Sequence, residues 1–325
     1  GPFYDELLRA GANPKAHRCS GRYSISWHRF LKRQLTAGRY DVVHLTAPLP
    51  NAFLLRSRGL PVVGRLNYPK MNHGWYPTRL KLLDSYCSRL FDAYVVVSKA
   101  ILKQFVERGY EAKKLHLIYN GITPQPHPTS ALRQELGIPD GQRVVGTIGR
   151  MRHEKGMDLF LRAAAELSRR MPDVSFVIAG DGPDRAKLEA LAESLNLGGK
   201  VRFLGFRRDA ANVLGGFDVL LYLSRWEAFS NTILEAMSAG VAVVASAVGG
   251  NIEAIQHGID GKLVSAEDWL GAAAAVEHLL RHPSERSALG AAAVRNVRAF
   301  STETMVRKHE ALFRALAGAA PSDII

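Results

Sequence analysis

Short apolar runs rich in β-branched residues recur along the chain, and stretches with helical periodicity separate them. The clearest runs are residues 41–45, 61–63, 93–97, 115–118, 143–148, 174–179, 218–222 and 241–245. Near-continuous hydrophobicity is typical of strands covered on both faces, as in parallel sheets. Residues 157–170 show helical periodicity, with an apolar stripe through Leu159 and Phe160 and with Glu166 on the side expected to face water. The alternation predicts an α/β protein with parallel sheets.

A proline-rich segment interrupts this alternation near the middle of the chain. Residues 121–141 contain four prolines and no strand pattern, which is typical of a hinge between domains. We predict two Rossmann-like, doubly wound domains over residues 1–125 and 126–300. A helix in residues 301–325 is expected to pack back on the first domain. That domain is predicted to lack its opening strand, because a helix-forming stretch follows Gly1-Pro2 directly.

Positive charge is concentrated in the first half of the chain. Residues 1–150 hold 23 lysines and arginines against nine aspartates and glutamates, whereas the whole chain has a net charge of +13. Such a surface favours contact with phosphates of lipid or of nucleic acid. Nucleic acid is not expected, because no recognised binding motif accompanies the charge. Residues 25–35 fit either a membrane-surface helix or a helix that covers a sheet and turns its basic residues outward.

Cysteine content and hydropathy point to a cellular location. The two cysteines exclude a disulfide scaffold and favour a reducing compartment. No uncharged apolar run approaches the roughly 18 residues that span a bilayer, and no secretory leader is visible. We therefore expect a cytoplasmic protein, with peripheral binding to the inner face of the membrane through its basic half.

The strongest chemical signal is the stretch from Glu227 to Glu235, which follows one strand and opens a helix. Backbone N–H groups near residues 229–232 would point out of the helix start, ready for an anion. Glu227 is placed to accept hydrogen bonds from sugar hydroxyls, and Glu235, one turn inside the helix, from a ribose diol. Taken alone, the pattern also fits a capped helix beside a buried carboxylate.

Two cations follow the strand that ends at Ile148. Arg150 and Lys155 lie where open α/β sheets bind ligands, and a guanidinium with an ammonium suits a diphosphate. The alternative is a solvated basic turn. Glycine turns at residues 180–183 and 249–250 permit close backbone approach to a ligand. No metal site is expected, because spaced aspartates beside a glycine turn are more often helix caps.

In order and spacing, these motifs resemble glycosyltransferase family 4. The matching features are the G-R-x-x-x-x-K-G string with Arg150 and Lys155, the turn at 180–183, the Glu227/Glu235 pair and Gly249-Gly250. The resemblance extends from about residue 41 to 300. It implies the GT-B fold, in which two Rossmann-like domains face each other across a cleft. It also implies sugar transfer from a nucleotide-diphosphate donor, with retention of anomeric configuration and without a required metal or other cofactor.

The resemblance assigns roles to individual residues. Arg150 and Lys155 would bind the donor diphosphate, Glu227 the donor sugar, and Glu235 the ribose. Catalysis would rest on Glu227, which holds the donor sugar, and on Lys155 and Arg150, whose positive charge stabilises the departing diphosphate. The leaving phosphate would itself take the proton of the acceptor during front-face attack. The residues expected to cradle sugar and phosphate are Gly180, Ala228, Phe229, Ser230, Asn231 and Thr232.

The acceptor side is less clearly marked. Asn67 stands roughly where the family commonly has a histidine, and His73 lies nearby, so either is a candidate to face the acceptor. The basic and aromatic stretch at 73–81 fits a glycan or a polyprenyl-diphosphate-linked acceptor. We therefore expect a retaining hexosyltransferase of bacterial surface-polysaccharide synthesis. The alternatives are a non-catalytic sugar-nucleotide-binding protein and a sugar-nucleotide epimerase of the same fold.

Overall fold

The fold is described from a computed structural model, in which the described residues are 8–9, 11–13, 15, 25–38, 40–46, 59–66, 89–124 and 131–318. The chain divides into two compact units. The smaller comprises Gly1–Arg65, His73–Val95 and Phe313–Ile325, and the larger comprises Leu66–Asn72 and Val96–Leu312. The expected domain limits at residues 125 and 300 stay a prediction.

The first sheet has four strands in the order β1-β2-β3-β4. Its strands are β1 (Val43–Leu45), β2 (Val62–Leu66), β3 (Ala93–Val96) and β4 (Leu115–Leu117), with helices α1 (Ile25–Ala37) and α2 (Lys99–Glu107). Helix α2 begins after Ser98, whose hydroxyl accepts a hydrogen bond from the Ile101 N–H at 3.2 Å. Helix α1 is amphipathic as predicted, since Leu35 is buried and Lys32 is exposed.

The second sheet has six parallel strands in the order β10-β9-β8-β5-β6-β7. The strands are β5 (Arg143–Ile148), β6 (Val174–Ala179), β7 (Val201–Gly205), β8 (Val219–Tyr222), β9 (Ala242–Ser246) and β10 (Lys262–Val264). The predicted strands are confirmed in both sheets. Strands β7 and β10 escaped prediction, because both lie at sheet edges and are half-buried along their whole length. They therefore lack the continuous apolar run of a central strand.

Helices connect these strands and follow the last of them. They are α3 (Leu132–Glu135), α4 (Met157–Arg170), α5 (Arg185–Ser194), α6 (Ala210–Gly215), α7 (Asn231–Ser238), α8 (Asn251–Ala254), α9 (Trp269–Arg281), α10 (Pro283–Asn296) and α11 (Thr302–Ala317). Short 3-10 turns lie at Ala112–Lys114, His153–Lys155 and Val297–Phe300. Across the described ranges, no helix combines the length and hydrophobicity that a membrane crossing requires.

Helix α4 packs its apolar stripe into the core of the larger unit. Phe160 and Phe176 of β6 meet edge to face with ring centroids 6.3 Å apart. The expectation that Glu166 faces water is wrong, because Glu166 is buried. Its carboxylate pairs with Arg169 and Arg170 one turn further along the helix, which explains how a charged residue is tolerated there.

The second sheet reverses its direction of growth between β5 and β8. The chain builds β5, β6 and β7 towards one edge and then returns to add β8, β9 and β10 on the other side of β5. Loops after β5 and β8 leave the sheet on opposite faces, so a crevice opens at the carboxyl ends of these two strands. The predicted residues Arg150, Lys155 and Glu227 follow these two strands.

Some sequence-based expectations fall outside the described residues. These are the Gly1-Pro2 turn, the opening helix apart from residues 8 and 9, and both acceptor candidates, Asn67 and His73.

We expect Leu161→Ala to lower the free energy of unfolding by about 2–5 kcal/mol, because Leu161 in α4 is 0% exposed and its loss leaves a cavity. Leu270→Ala is the matched control, since Leu270 is 52% exposed and its loss should cost about 0.5 kcal/mol or less. Urea unfolding followed by circular dichroism measures both. Equal shifts for the two variants would contradict the position assigned to α4.

Candidate active site

A triad of Lys155, Tyr222 and Glu227 lies at the carboxyl ends of β5 and β8, with Tyr222 and Glu227 buried and Lys155 half-buried. The Lys155 ammonium lies 2.6 Å from Glu227 Oε2 and 3.0 Å from the Tyr222 hydroxyl. The Tyr222 hydroxyl in turn donates to the same Oε2 at 3.0 Å. Within the described part of the chain, Glu227 Oε1 accepts no hydrogen bond. The structure therefore brings Lys155 and Glu227 together, with one carboxylate oxygen available to a ligand.

The electrostatics of the triad favour a charged lysine beside a neutral tyrosine. Burial opposes the charge on Lys155, but the neighbouring Tyr222 and Glu227 oxygens outweigh it and raise the pKa of the ammonium. Burial, followed by the charge of Glu227, raises the pKa of Tyr222 to about 12. Lys155 consequently keeps its positive charge and Tyr222 its proton at neutral pH.

Gly156 and Arg225 hold the turn that carries Lys155. Gly156 has φ +60°, and a Cβ atom there would lie 1.9 Å from the carbonyl oxygen of Leu223. Arg225 donates to the His153 carbonyl at 2.9 Å and binds Asp158 through two hydrogen bonds of 2.7 Å. Because hydrogen bonds with Asp158 favour the guanidinium, the pKa of Arg225 is raised. Arg225, two residues before Glu227, therefore ties the loops after β5 and β8 together.

The loop after Glu227 presents backbone N–H groups instead of side chains. Those of residues 228–232 donate to no acceptor among the residues that the structure describes. Ser230 caps α7, its hydroxyl accepting from the Ile233 N–H at 3.3 Å. A helix start with unsatisfied N–H groups attracts anions. The predicted contribution of Ala228, Phe229, Ser230, Asn231 and Thr232 to an anion site is therefore available through the main chain.

Phe229 is held in an aromatic cluster. Its ring lies 4.9 Å from that of Tyr119 and 5.2 Å from that of Phe300, so the side chain points into the protein. Asn120 adds hydrogen bonds to the Phe229 carbonyl at 3.2 Å and to Asn231 Oδ1 at 2.9 Å. These contacts fix the course of the loop, and the sequence alone gave no sign of them.

The glycine turns bring loops of the protein against each other. A Cβ atom on Gly249 would lie 1.8 Å from the Glu227 carbonyl oxygen, and one on Gly250 would lie 2.2 Å from that of Ala228. A Cβ atom on Gly180 would likewise lie 1.8 Å from the Gly149 carbonyl oxygen. We expected these glycines to let the backbone approach a ligand closely. In the structure they let two loops of the protein approach each other closely, and this contact sets the position of Glu227.

The turn that contains Gly249 is anchored by Glu253 at its far end. The Glu253 carboxylate accepts hydrogen bonds from the N–H groups of Lys99 and Ala100 at 2.9 and 3.0 Å, at the start of α2. It also accepts one from the Tyr119 hydroxyl at 2.9 Å. Tyr119 belongs to the aromatic cluster around Phe229, so the turn and the loop share one support.

Two cavities in the larger unit share the lining residue Ala210. One, of about 370 Å³, is lined by Arg150 and Gly180 together with Phe206. The other, of about 640 Å³, is lined by Asn231 and Glu235. Phe206 is the most exposed large apolar residue described, at 72%. The sequence analysis missed it, because the preceding strand β7 was not recognised.

Glu235 is half-buried in the larger cavity. Burial raises the pKa of its carboxyl group, and none of the described residues forms a hydrogen bond or ion pair with it. The structure does not bring Glu235 or Arg150 into contact with the triad. Both line the cavities instead, with no described partner for either side chain.

Aspartates near the turn at residue 180 are engaged with the protein. Asp181 accepts a hydrogen bond from the Gly182 N–H at 2.7 Å, and Asp184 pairs with Lys187 at 3.8 Å. In the described ranges, no three histidine, cysteine, aspartate or glutamate residues are grouped so as to hold a metal ion.

Known families match both halves of the chain. Residues 128–295 match the family model of glycosyl transferases group 1, and residues 1–125 match that of glycosyltransferase family 4.

Individual proteins resemble the chain over most of its length. A D-inositol 3-phosphate glycosyltransferase of Corynebacterium urealyticum is 32% identical over 230 residues, covering 65% of this chain and 54% of that protein. The N-acetyl-alpha-D-glucosaminyl L-malate synthase of Bacillus anthracis is 28% identical, covering 84% and 74%. Anabaena HepE, solved in complex with UDP-glucose, superposes with a TM-score of 0.84 at 23% identity, covering 96% and 89%. The chain spans about half the length of the Corynebacterium urealyticum protein.

We expect Gly249→Ala to destabilise the protein by at least about 2 kcal/mol more than Gly258→Ala. Both glycines have positive φ angles, +48° and +77°, but only Gly249 faces a carbonyl within contact distance, whereas a Cβ atom on Gly258 meets nothing within 4 Å. The control therefore carries the backbone strain without the clash. Thermal unfolding of both variants measures the difference, and equal losses would contradict the packing of Gly249 against Glu227.

Proposed function

The chain belongs to the glycosyl transferases group 1, of glycosyltransferase family 4, and on this premise we propose that it transfers a sugar from a nucleotide-diphosphate donor to a glycan or lipid-linked acceptor. Its fold of two parallel-sheet α/β domains is the GT-B fold. The observation that carries the proposal is the juxtaposition of Lys155 and Glu227 with the free N–H groups of residues 228–232.

The donor diphosphate would bind where positive charge and N–H groups converge. Lys155 supplies a mobile ammonium, and Arg150 supplies a guanidinium with no described partner, able to bind two oxygens at once. Backbone N–H groups at the start of α7 add a fixed dipole. Together these groups would stabilise the negative charge that develops on the diphosphate as the bond to the sugar breaks.

The sugar and the nucleoside would occupy opposite ends of this anion site. The open Oε1 of Glu227 is suited to accept hydrogen bonds from donor-sugar hydroxyls, since Oε2 is already occupied. Glu235, a half-buried carboxylate with no described partner, is suited to a ribose diol. The exposed ring of Phe206 offers an apolar surface for the base in the adjoining cavity.

We propose front-face transfer with retention and without a metal. The bond between the anomeric carbon and the leaving phosphate oxygen breaks, the acceptor oxygen forms a new bond on the same face, and the leaving phosphate takes the acceptor's proton. Resemblance to family 4 supports retention. The charge of Lys155 and Arg150, which can take the role that a divalent cation has in other diphosphate sites, supports independence from metal.

The acceptor is proposed to bind through the first half of the chain. The charge of residues 1–150 supports a phosphate-bearing acceptor, such as a polyprenyl-diphosphate-linked glycan, at an anionic membrane surface. Asn67 and His73 remain the acceptor-side candidates. A role in bacterial surface-polysaccharide synthesis at the cytoplasmic face of the membrane follows from that acceptor class.

We expect calorimetric titration to show binding of one of UDP, GDP and ADP, with UDP the first to try because HepE was solved with UDP-glucose. Lys155→Ala and Glu235→Ala should each weaken binding at least tenfold, about 1.4 kcal/mol, through loss of contacts to diphosphate and ribose. Lys187→Ala and Glu193→Ala, at exposed positions of α5, are matched controls and should bind like the wild type. Failure of the folded protein to bind all three nucleotides would contradict the proposal.

We expect the protein to hydrolyse, slowly and with water as the acceptor, the α-glucose conjugate of the nucleoside diphosphate that it binds. The first product should be α-glucose. Proton NMR distinguishes this product before mutarotation. Glu227→Gln should slow the reaction at least tenfold, because a neutral amide no longer stabilises the charge that develops on the sugar. Excess EDTA should leave the rate unchanged. Initial release of β-glucose would refute retention, and loss of activity in EDTA would refute independence from metal.

A further inference from the structure

Lys155 and Tyr222 share a single oxygen of Glu227. Both donate to Oε2, at 2.6 and 3.0 Å, and the ammonium also donates to the tyrosine hydroxyl at 3.0 Å. The three polar atoms therefore form a closed triangle. In this arrangement the positive charge of Lys155 is neutralised by Glu227 and is not directed at a diphosphate.

A bound diphosphate would compete with Glu227 for the same ammonium. It carries more negative charge than one carboxylate, so Lys155 would turn towards it. Glu227 is buried, and a buried carboxylate that is left without any partner is strongly destabilised. A second donor that stays in place is therefore needed to hold Glu227 oriented towards the sugar.

Tyr222 has the position and the rigidity to be that donor. It is the last residue of β8, paired in register with Ala245 of β9, and its side chain is buried. Its hydroxyl already points its proton at Glu227 Oε2 while accepting from Lys155, so departure of the lysine removes one hydrogen bond and leaves the other intact. The high pKa of Tyr222 keeps that proton available.

We infer that Tyr222 is a positioning residue that retains Glu227 as an oriented carboxylate when the donor diphosphate draws Lys155 away. This inference rests on the proposed function of the site and adds a step to it: donor binding is an exchange of hydrogen bonds, in which the lysine moves and the tyrosine does not. This role could not be predicted from the sequence, because Tyr222 lies within an otherwise apolar strand.

The test is Tyr222→Phe, which removes one hydroxyl group and keeps the ring. The probe is the nucleoside diphosphate, among UDP, GDP and ADP, that the wild type binds, followed by calorimetric titration. We expect Tyr222→Phe to weaken binding about tenfold, equivalent to about 1.4 kcal/mol, because Glu227 is left without its last donor when Lys155 moves.

Two further variants separate positioning from a general effect on packing. Tyr110→Phe alters another largely buried tyrosine, beside Phe105, and should match the wild type in affinity. In a Glu227→Gln background, Tyr222→Phe should change affinity by less than twofold, because no buried carboxylate is present to lose its last donor.

The outcomes distinguish this inference from the proposed function. Absence of nucleotide binding by the folded wild type would overturn both. Normal binding by the wild type, with the same affinity in Tyr222→Phe, would overturn only the role of Tyr222. Equal weakening by Tyr222→Phe in the wild-type and Glu227→Gln backgrounds would also overturn it, since a loss of packing alone produces that result.

Discussion

The ion pair between Lys155 and Glu227 is the interaction around which the candidate site is arranged. It forms because the second sheet reverses its direction of growth between β5 and β8, which makes the loops after these strands neighbours. The two loops continue into α4 and α7 on opposite faces of the sheet. Between them the charged side chains of Lys155 and Glu227 meet without being sealed from ligands.

Holding this opening in shape requires contacts that are unrelated to chemistry. Arg225 joins the two loops through His153 and Asp158, while Gly249 allows the next turn to lie against the Glu227 carbonyl. The aromatic cluster around Phe229 fixes the loop from the other side. The N–H groups of residues 228–232 are thus oriented before a ligand arrives, which is the condition under which fixed dipoles act most effectively on developing charge.

The central strands, the helix of residues 157–170 and the charged residues of the site could be predicted from the sequence, because each depends on local pattern. Edge strands β7 and β10 could not, since half-burial removes the apolar run that marks a strand. The burial of Glu166 depends on two arginines further along its helix, and that of Phe229 depends on Tyr119 and Phe300, which are distant in sequence. The role of Tyr222 could not be predicted, because it depends on hydrogen bonds between its hydroxyl and Lys155 and Glu227, which only the fold brings together.

A crystal structure of the chain with a bound nucleoside diphosphate would show whether Lys155 and Glu227 belong to the donor site. The diphosphate should lie against the N–H groups of residues 228–232, with the Lys155 ammonium turned towards it and Glu227 still held by Tyr222. A nucleotide bound elsewhere, with Lys155 remaining on Glu227, would contradict the assignment of this pair to the donor site.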